Sequence, residues 1–67
     1  ASFQSYRIAL GLNPLDEEAL FGMGILHVSS GDLKCALRQH ELLVSIKSGL
    51  AEDLYVKILE RKELRMA

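Results

Sequence analysis

Residues 20–40 read LFGMGILHVSSGDLKCALRQH. From Ala19 to Val28 the only polar side chain is His27, so this segment predicts a helix buried on more than one side. Ser29-Ser30-Gly31-Asp32 is a tight connection. Gly31 supplies a positive φ, and Asp32 is placed to cap the helix that follows. From Leu33 the pattern turns amphipathic. Leu33, Ala36, Leu37, His40, Leu43 and Val44 form one stripe, with Lys34, Arg38, Glu41 and Ser45 on the solvated side. The spacing predicts antiparallel helices over Glu17–Ser29 and Leu33–Lys47, joined at Ser30-Gly31-Asp32.

Outward from this hairpin, Phe3, Tyr6, Ala9 and Leu10 share one face of a helix over Phe3–Leu12, which Asn13-Pro14 stops. Asp16 is the expected cap of the second helix. Glu17 and Glu18 suit its positive end, and Leu15 is placed to close a hydrophobic staple on Leu20. Ser48-Gly49 ends the third helix. A fourth runs from Leu50 to about Leu64, with Leu50, Leu54, Ile58 and Ala51, Tyr55, Leu59 as adjacent apolar rows. Its last residues are expected to fray. No segment shows strand alternation. The expected class is all-α.

Small and large residues in the central stretch follow a known order. Leu20-x-x-Met23-Gly24-x-x-His27, followed by Ala36-x-x-x-His40, resembles the tetratricopeptide repeat pattern, whose period is about 34 residues. Ser2, Phe3, Tyr6, Ala9, Leu10, Leu12 and Pro14 lie one such period before Ala36, Leu37, His40, Leu43, Val44, Ile46 and Ser48, and most pairs agree in size and polarity. The resemblance implies antiparallel helical hairpins in a right-handed α-α superhelix. Residues 1–13 would be the second helix of a preceding repeat, 17–50 one full repeat, and 51–67 a capping helix, in a single domain that is a piece of a longer protein. His27 and His40 stand where the family prefers aromatic residues, Leu43 where it prefers a small one, and Ser48 where it prefers proline. Ile58 falls one period after Gly24, which is why the fourth helix reads as a cap. Gly24 and Ala36 lack bulk, so close approach of two helix backbones is expected there.

The bounds agree with a binding module. A chain of 67 residues has no room for a second domain or a large catalytic cleft. Its 49% hydrophobic and 25% charged content is that of a folded chain. A net charge of −1 gives no electrostatic reason to bind nucleic acid. The run Glu60–Arg65 belongs to a C-terminal segment with equal numbers of acidic and basic residues, and reads as a solvated face. The single cysteine excludes an internal disulfide. The longest apolar run is too short to span a bilayer. A soluble, cytoplasmic chain is expected, with no membrane insertion.

Catalytic and metal readings are weak in the sequence. Gly22-x-Gly24 lacks the third glycine and preceding strand of a dinucleotide loop, and reads as helix packing. Cys35 has neither an evident oxyanion hole nor a pocket for thiol catalysis. Cys35 and His40 are poorly spaced for a shared metal, and no fourth ligand is apparent to join them and His27. Both histidines are expected across one hairpin as packing residues. No enzyme activity, cofactor or metal is expected. The distinctive feature is a second apolar row, Phe21, Ile25 and Val28, about a third of a turn from the stripe of Leu20, Met23, Gly24 and His27. In the family this side lines the groove for partners. The subclass that clamps a terminal carboxylate uses Lys, Arg and Asn there, which this row does not resemble. The expected recognition face is Phe21, Ile25 and Val28 with Glu18 and Ser29 at its rim, for a protein partner offering a helical or hydrophobic peptide segment. The alternatives are that a preceding repeat or self-association covers the row, or that the module is a regulatory fragment appended to an enzyme.

Overall fold

The computed structural model describes the backbone of residues 3–66 and the side chains of residues 3–63. Ser2 in the periodic series, the Arg65 side chain of the charge run and the final residue of the 51–67 segment lie outside the described residues. Four helices follow in order: α1 (Phe3–Leu12), α2 (Glu17–Ser30), α3 (Leu33–Ser45) and α4 (Leu50–Met66). No strand occurs among the described residues.

Side-chain contacts fix the directions. Phe3, at the start of α1, packs on His27 near the end of α2, and Tyr6 lies over Gly22. These two helices are therefore antiparallel. Ser48, just beyond α3, donates to Glu17 at the start of α2, while the Gly31-Asp32 turn joins the opposite ends. Helices α2 and α3 thus form an antiparallel hairpin. Leu54 of α4 meets Gly24, and the Arg61 guanidinium lies beside Gly31 at the end of α2. Helix α4 consequently runs parallel to α2.

The helix ends show how the chain turns. The Asp16 carboxylate accepts from the N–H groups of Glu18 and Ala19, at 3.1 and 3.3 Å. Asp32 accepts from the Cys35 N–H at 3.2 Å. Each satisfies donors that a helix start leaves unpaired. At the end of α2, Gly31 N–H donates to Val28 and Asp32 N–H to His27, with Gly31 at φ 83°. This is a Schellman motif. The end of α3 repeats it: Lys47 N–H donates to Val44 and Ser48 N–H to Leu43, with Lys47 at φ 56°. That motif stops α3 at Ser45, two residues short of the expected Lys47. The left-handed position falls on that lysine, one residue before the Ser48-Gly49 pair expected to end the helix. Ser48 instead leads into α4, its hydroxyl accepting from Leu50 N–H at 3.2 Å.

The core is Leu20, Ala36, Leu43, Ala51, Leu54 and Ile58. Leu20, Leu43, Leu54 and Ile58 are its largest fully buried side chains, each contributing about 1.5–3 kcal/mol. The molecule measures 39 × 25 × 16 Å. A body that thin cannot cover every apolar row. On α3 only Ala36 and Leu43 of the expected stripe are buried, and Val44 is 53% exposed. On α4, Ala51, Leu54 and Ile58 face the core while Tyr55, Val56 and Leu59 face outward. Leu20 is buried but Leu15 is half exposed, so the expected staple does not seal this helix start.

Gly24 is a notch for a side chain, where two backbones were expected to meet. A Cβ built there would lie 2.5 and 2.8 Å from the two methyls of Leu54, a fully buried residue of α4. Gly24→Ala should lower the urea midpoint, overpacking costing about 1–3 kcal/mol against the roughly 1 kcal/mol that alanine gains as a helix former. In a Leu54→Ala background the same change should be neutral or stabilising. Gly11→Ala, with nothing within 4 Å of its Cβ, should raise stability.

The two helix ends give an opposed pair of outcomes. Lys47→Gly should stabilise by about 1 kcal/mol by relieving a left-handed lysine. Gly31→Ala should destabilise by a similar amount. Thermal unfolding of both variants provides the check.

Candidate functional site

A cleft of about 460 Å³ opens where α1, α2 and the start of α4 meet, lined by Tyr6, Glu18, Phe21, Gly22, Ile25, Leu26 and Leu50. Its form depends on Gly22. The Tyr6 ring occupies the space that a Cβ on residue 22 would need, so the ring lies directly against the α2 backbone and forms one wall. Glu18 is the only charged residue of the lining. It sits in the first turn of α2, on the exposed side.

The expected recognition residues separate in the structure. Glu18, Phe21 and Ile25 line the cleft; Val28 and Ser29 do not. Ser29 is exposed in the last turn of α2. Phe21, Ile25 and Val28 are all partly buried against the central core. The second apolar row is thus already half used by the fold, because α1 and the start of α4 lie on either side of it. Tyr6, Gly22, Leu26 and Leu50 complete the cleft and were not expected there. Gly22 carried the one available signal, a second glycine in α2 on the side away from Gly24.

The two histidines also separate. His40 Nδ1 lies 2.9 Å from the Ala51 carbonyl oxygen. A carbonyl only accepts, so this nitrogen carries the proton and donates. The His40 ring lies 5.0 Å from the Tyr55 ring, tilted by 31°. His27 packs instead against Phe3 of α1, at 5.1 Å and 49°. The expectation of two imidazoles meeting across one hairpin is replaced by two imidazoles on different interfaces, each against an aromatic ring from a neighbouring helix. A second cleft, about 410 Å³, adjoins His40, Val44 and Tyr55 on the α3–α4 side.

At the α2–α3 turn a nitrogen of His27, a carboxylate oxygen of Asp32 and the Cys35 Sγ all lie within 4.8 Å of one another. The Asp32 carboxylate accepts the Cys35 backbone N–H and lies beside the Cys35 thiol. The neighbouring Cys35 side chain and backbone N–H hold the Asp32 carboxyl below its ordinary range. The adjacent Asp32 carboxylate, with partial burial, pushes the thiol above its ordinary value. Cys35 is therefore held as a thiol, the reverse of an activated nucleophile.

No family model matches the chain, and no curated protein or solved structure matches it either.

Alkylation of Cys35 by iodoacetamide should follow a pH profile whose midpoint lies above that of a free cysteine. Asp32→Asn removes the repelling charge but retains a capping side chain. It should move the midpoint toward lower pH, and an unchanged profile would show that Asp32 does not govern the thiol.

Proposed function

We propose that the chain is a non-catalytic protein-interaction and scaffold module of tetratricopeptide type. It takes an apolar helical or peptide segment of a protein partner in the cleft between α1, α2 and the start of α4. The observation that carries this reading is the cleft itself: an apolar trough about 460 Å³ in volume with one carboxylate, Glu18, among its lining residues. Such a surface suits an amphipathic helix laid in by its apolar side, recognised through area and shape. The repeat reading draws support from the helix directions. Each helix runs antiparallel to the one before it, and α4 returns parallel to α2. Leu54 lies one period after Leu20, and both are fully buried.

A second reading is self-association, favoured by a different surface. Val44 and Tyr55 are exposed beside the second cleft, and Leu42, Val56 and Leu59 are exposed elsewhere on α3 and α4. A capping helix presents a polar outer side; α4 exposes Glu52, Asp53, Lys57 and Glu60 but leaves Tyr55, Val56 and Leu59 uncovered beside them. No helix among the described residues is long and apolar enough to cross a membrane.

The test is a titration of ¹⁵N-labelled protein with a panel of amphipathic helical peptides, followed by amide shifts. Shifts should centre on Glu18, Phe21, Gly22, Ile25 and Leu26 and change little with added salt. Phe21→Ala should weaken binding by about tenfold or more, as loss of a buried aromatic anchor does, with helicity checked by circular dichroism. Shifts confined to α3 and α4, or sedimentation coefficients that rise with concentration and fall in Tyr55→Glu, would favour self-association instead.

A further inference from the structure

The α2–α3 turn gathers three ligand types that the cleft does not use. We propose that His27, Asp32 and Cys35 form a binding site for a zinc-type divalent cation with one open coordination position. This goes beyond the interaction reading and does not depend on it.

Geometry carries the proposal. The three donor atoms come within 4.8 Å of one another without an ion. Tetrahedral zinc, with bonds of about 2.0–2.3 Å, needs donors roughly 3.3–3.7 Å apart. Rotation of the side chains by about 1 Å closes that gap. The backbone beneath is already fixed. Asp32 N–H donates to the His27 carbonyl at 2.8 Å. The Ser30 hydroxyl donates to that carbonyl as well, at 3.0 Å, and the Asp32 carboxylate holds the Cys35 N–H. The first ligand's main chain is thus bonded to the second's main chain, and the second's side chain to the third's main chain. Phe3 packs against the His27 ring and limits its rotation. A site held on two helix ends in this way is oriented before a ligand arrives.

The chemistry selects the ion. Imidazole and thiolate favour zinc-type metals, whereas magnesium and calcium require oxygen donors. In the apo chain Cys35 carries its thiol proton. The metal takes its place: the S–H bond breaks, a sulfur–metal bond forms and one proton leaves to solvent. Thiolate and carboxylate then balance the divalent charge, with imidazole neutral. A fourth position remains for water or a partner's side chain, as in zinc sites with three protein ligands. Lys34, Arg38 and Arg61 are exposed cations near the turn. They oppose an incoming cation, with salt screening their effect, so affinity should fall below that of a closed four-ligand site.

Titrating the reduced protein with cobalt(II) tests the site, because a thiolate ligand adds a charge-transfer band in the near ultraviolet and four-coordination intensifies the visible bands. Both should appear with one equivalent bound and disappear when zinc is added. Cys35→Ser should abolish the charge-transfer band. His27→Phe, which places a family-preferred aromatic residue on Phe3, should weaken zinc binding in calorimetry by at least about tenfold, the lower end of the cost of losing even an outer-sphere partner. Asp32→Asn should weaken it while keeping the α3 cap. His40→Phe should leave it unchanged. Circular dichroism establishes that each variant is folded. Absence of the charge-transfer band, or zinc binding unaltered in Cys35→Ser and His27→Phe, would overturn the proposal.

Discussion

Leu54 seated against Gly24 is the contact on which the rest of the structure depends. It joins α4 to α2, and through α2 to the α2–α3 hairpin, placing Leu54 in one cluster with Leu20, Leu43 and Ile58. The notch has no spare volume, since even a methyl on residue 24 would overlap both Leu54 methyls. A residue of about the same volume as leucine at position 54 and no side chain at position 24 are thus a single packing requirement. Without that seat α4 would keep only its peripheral contacts with α2, at Leu50 and Arg61, and its packing on α3.

The turns carry the second constraint. Helices α2 and α3 both end in the same left-handed motif, one built on Gly31 and the other on Lys47. The first turn reverses the chain so tightly that His27, before it, comes beside Asp32 and Cys35, after it. The second delivers Ser48, which links the starts of α4 and α2 through Leu50 and Glu17. The geometry of both ends of α2 follows from these reversals: a polar cluster at its C-terminal end, an apolar cleft toward its N-terminal end.

The thinness of the molecule explains its surface. With four helices in a body 16 Å across its shortest dimension, each helix can be covered on only part of its circumference. Apolar side chains therefore remain outside on α3 and α4, and Phe21 and Ile25 are shared between the core and the cleft. A small domain has little interior to spare, so substitution of residues in this cleft bears on folding and on binding together.

Helix number, the extent of α1, the caps at Asp16 and Asp32 and the left-handed Gly31 were legible in the sequence, because apolar periodicity and helix-end chemistry are local. The buried residues Leu20, Met23, Ala36 and Leu43 followed from the same periodicity. Neighbours across helices were not legible. Gly24 announced a close approach without saying that Leu54 would fill it. Glycine at position 22 gave no hint of Tyr6. His27 and His40 had similar settings in the sequence, yet α1 reaches one and α4 the other. Asp32 was visible as a cap, but its convergence with His27 depends on a chain reversal that linear spacing does not express. Local hydrogen bonding and hydrophobic period could be read from the residues in order. Which side chain fills which gap was decided only when four amphipathic helices competed for one small core.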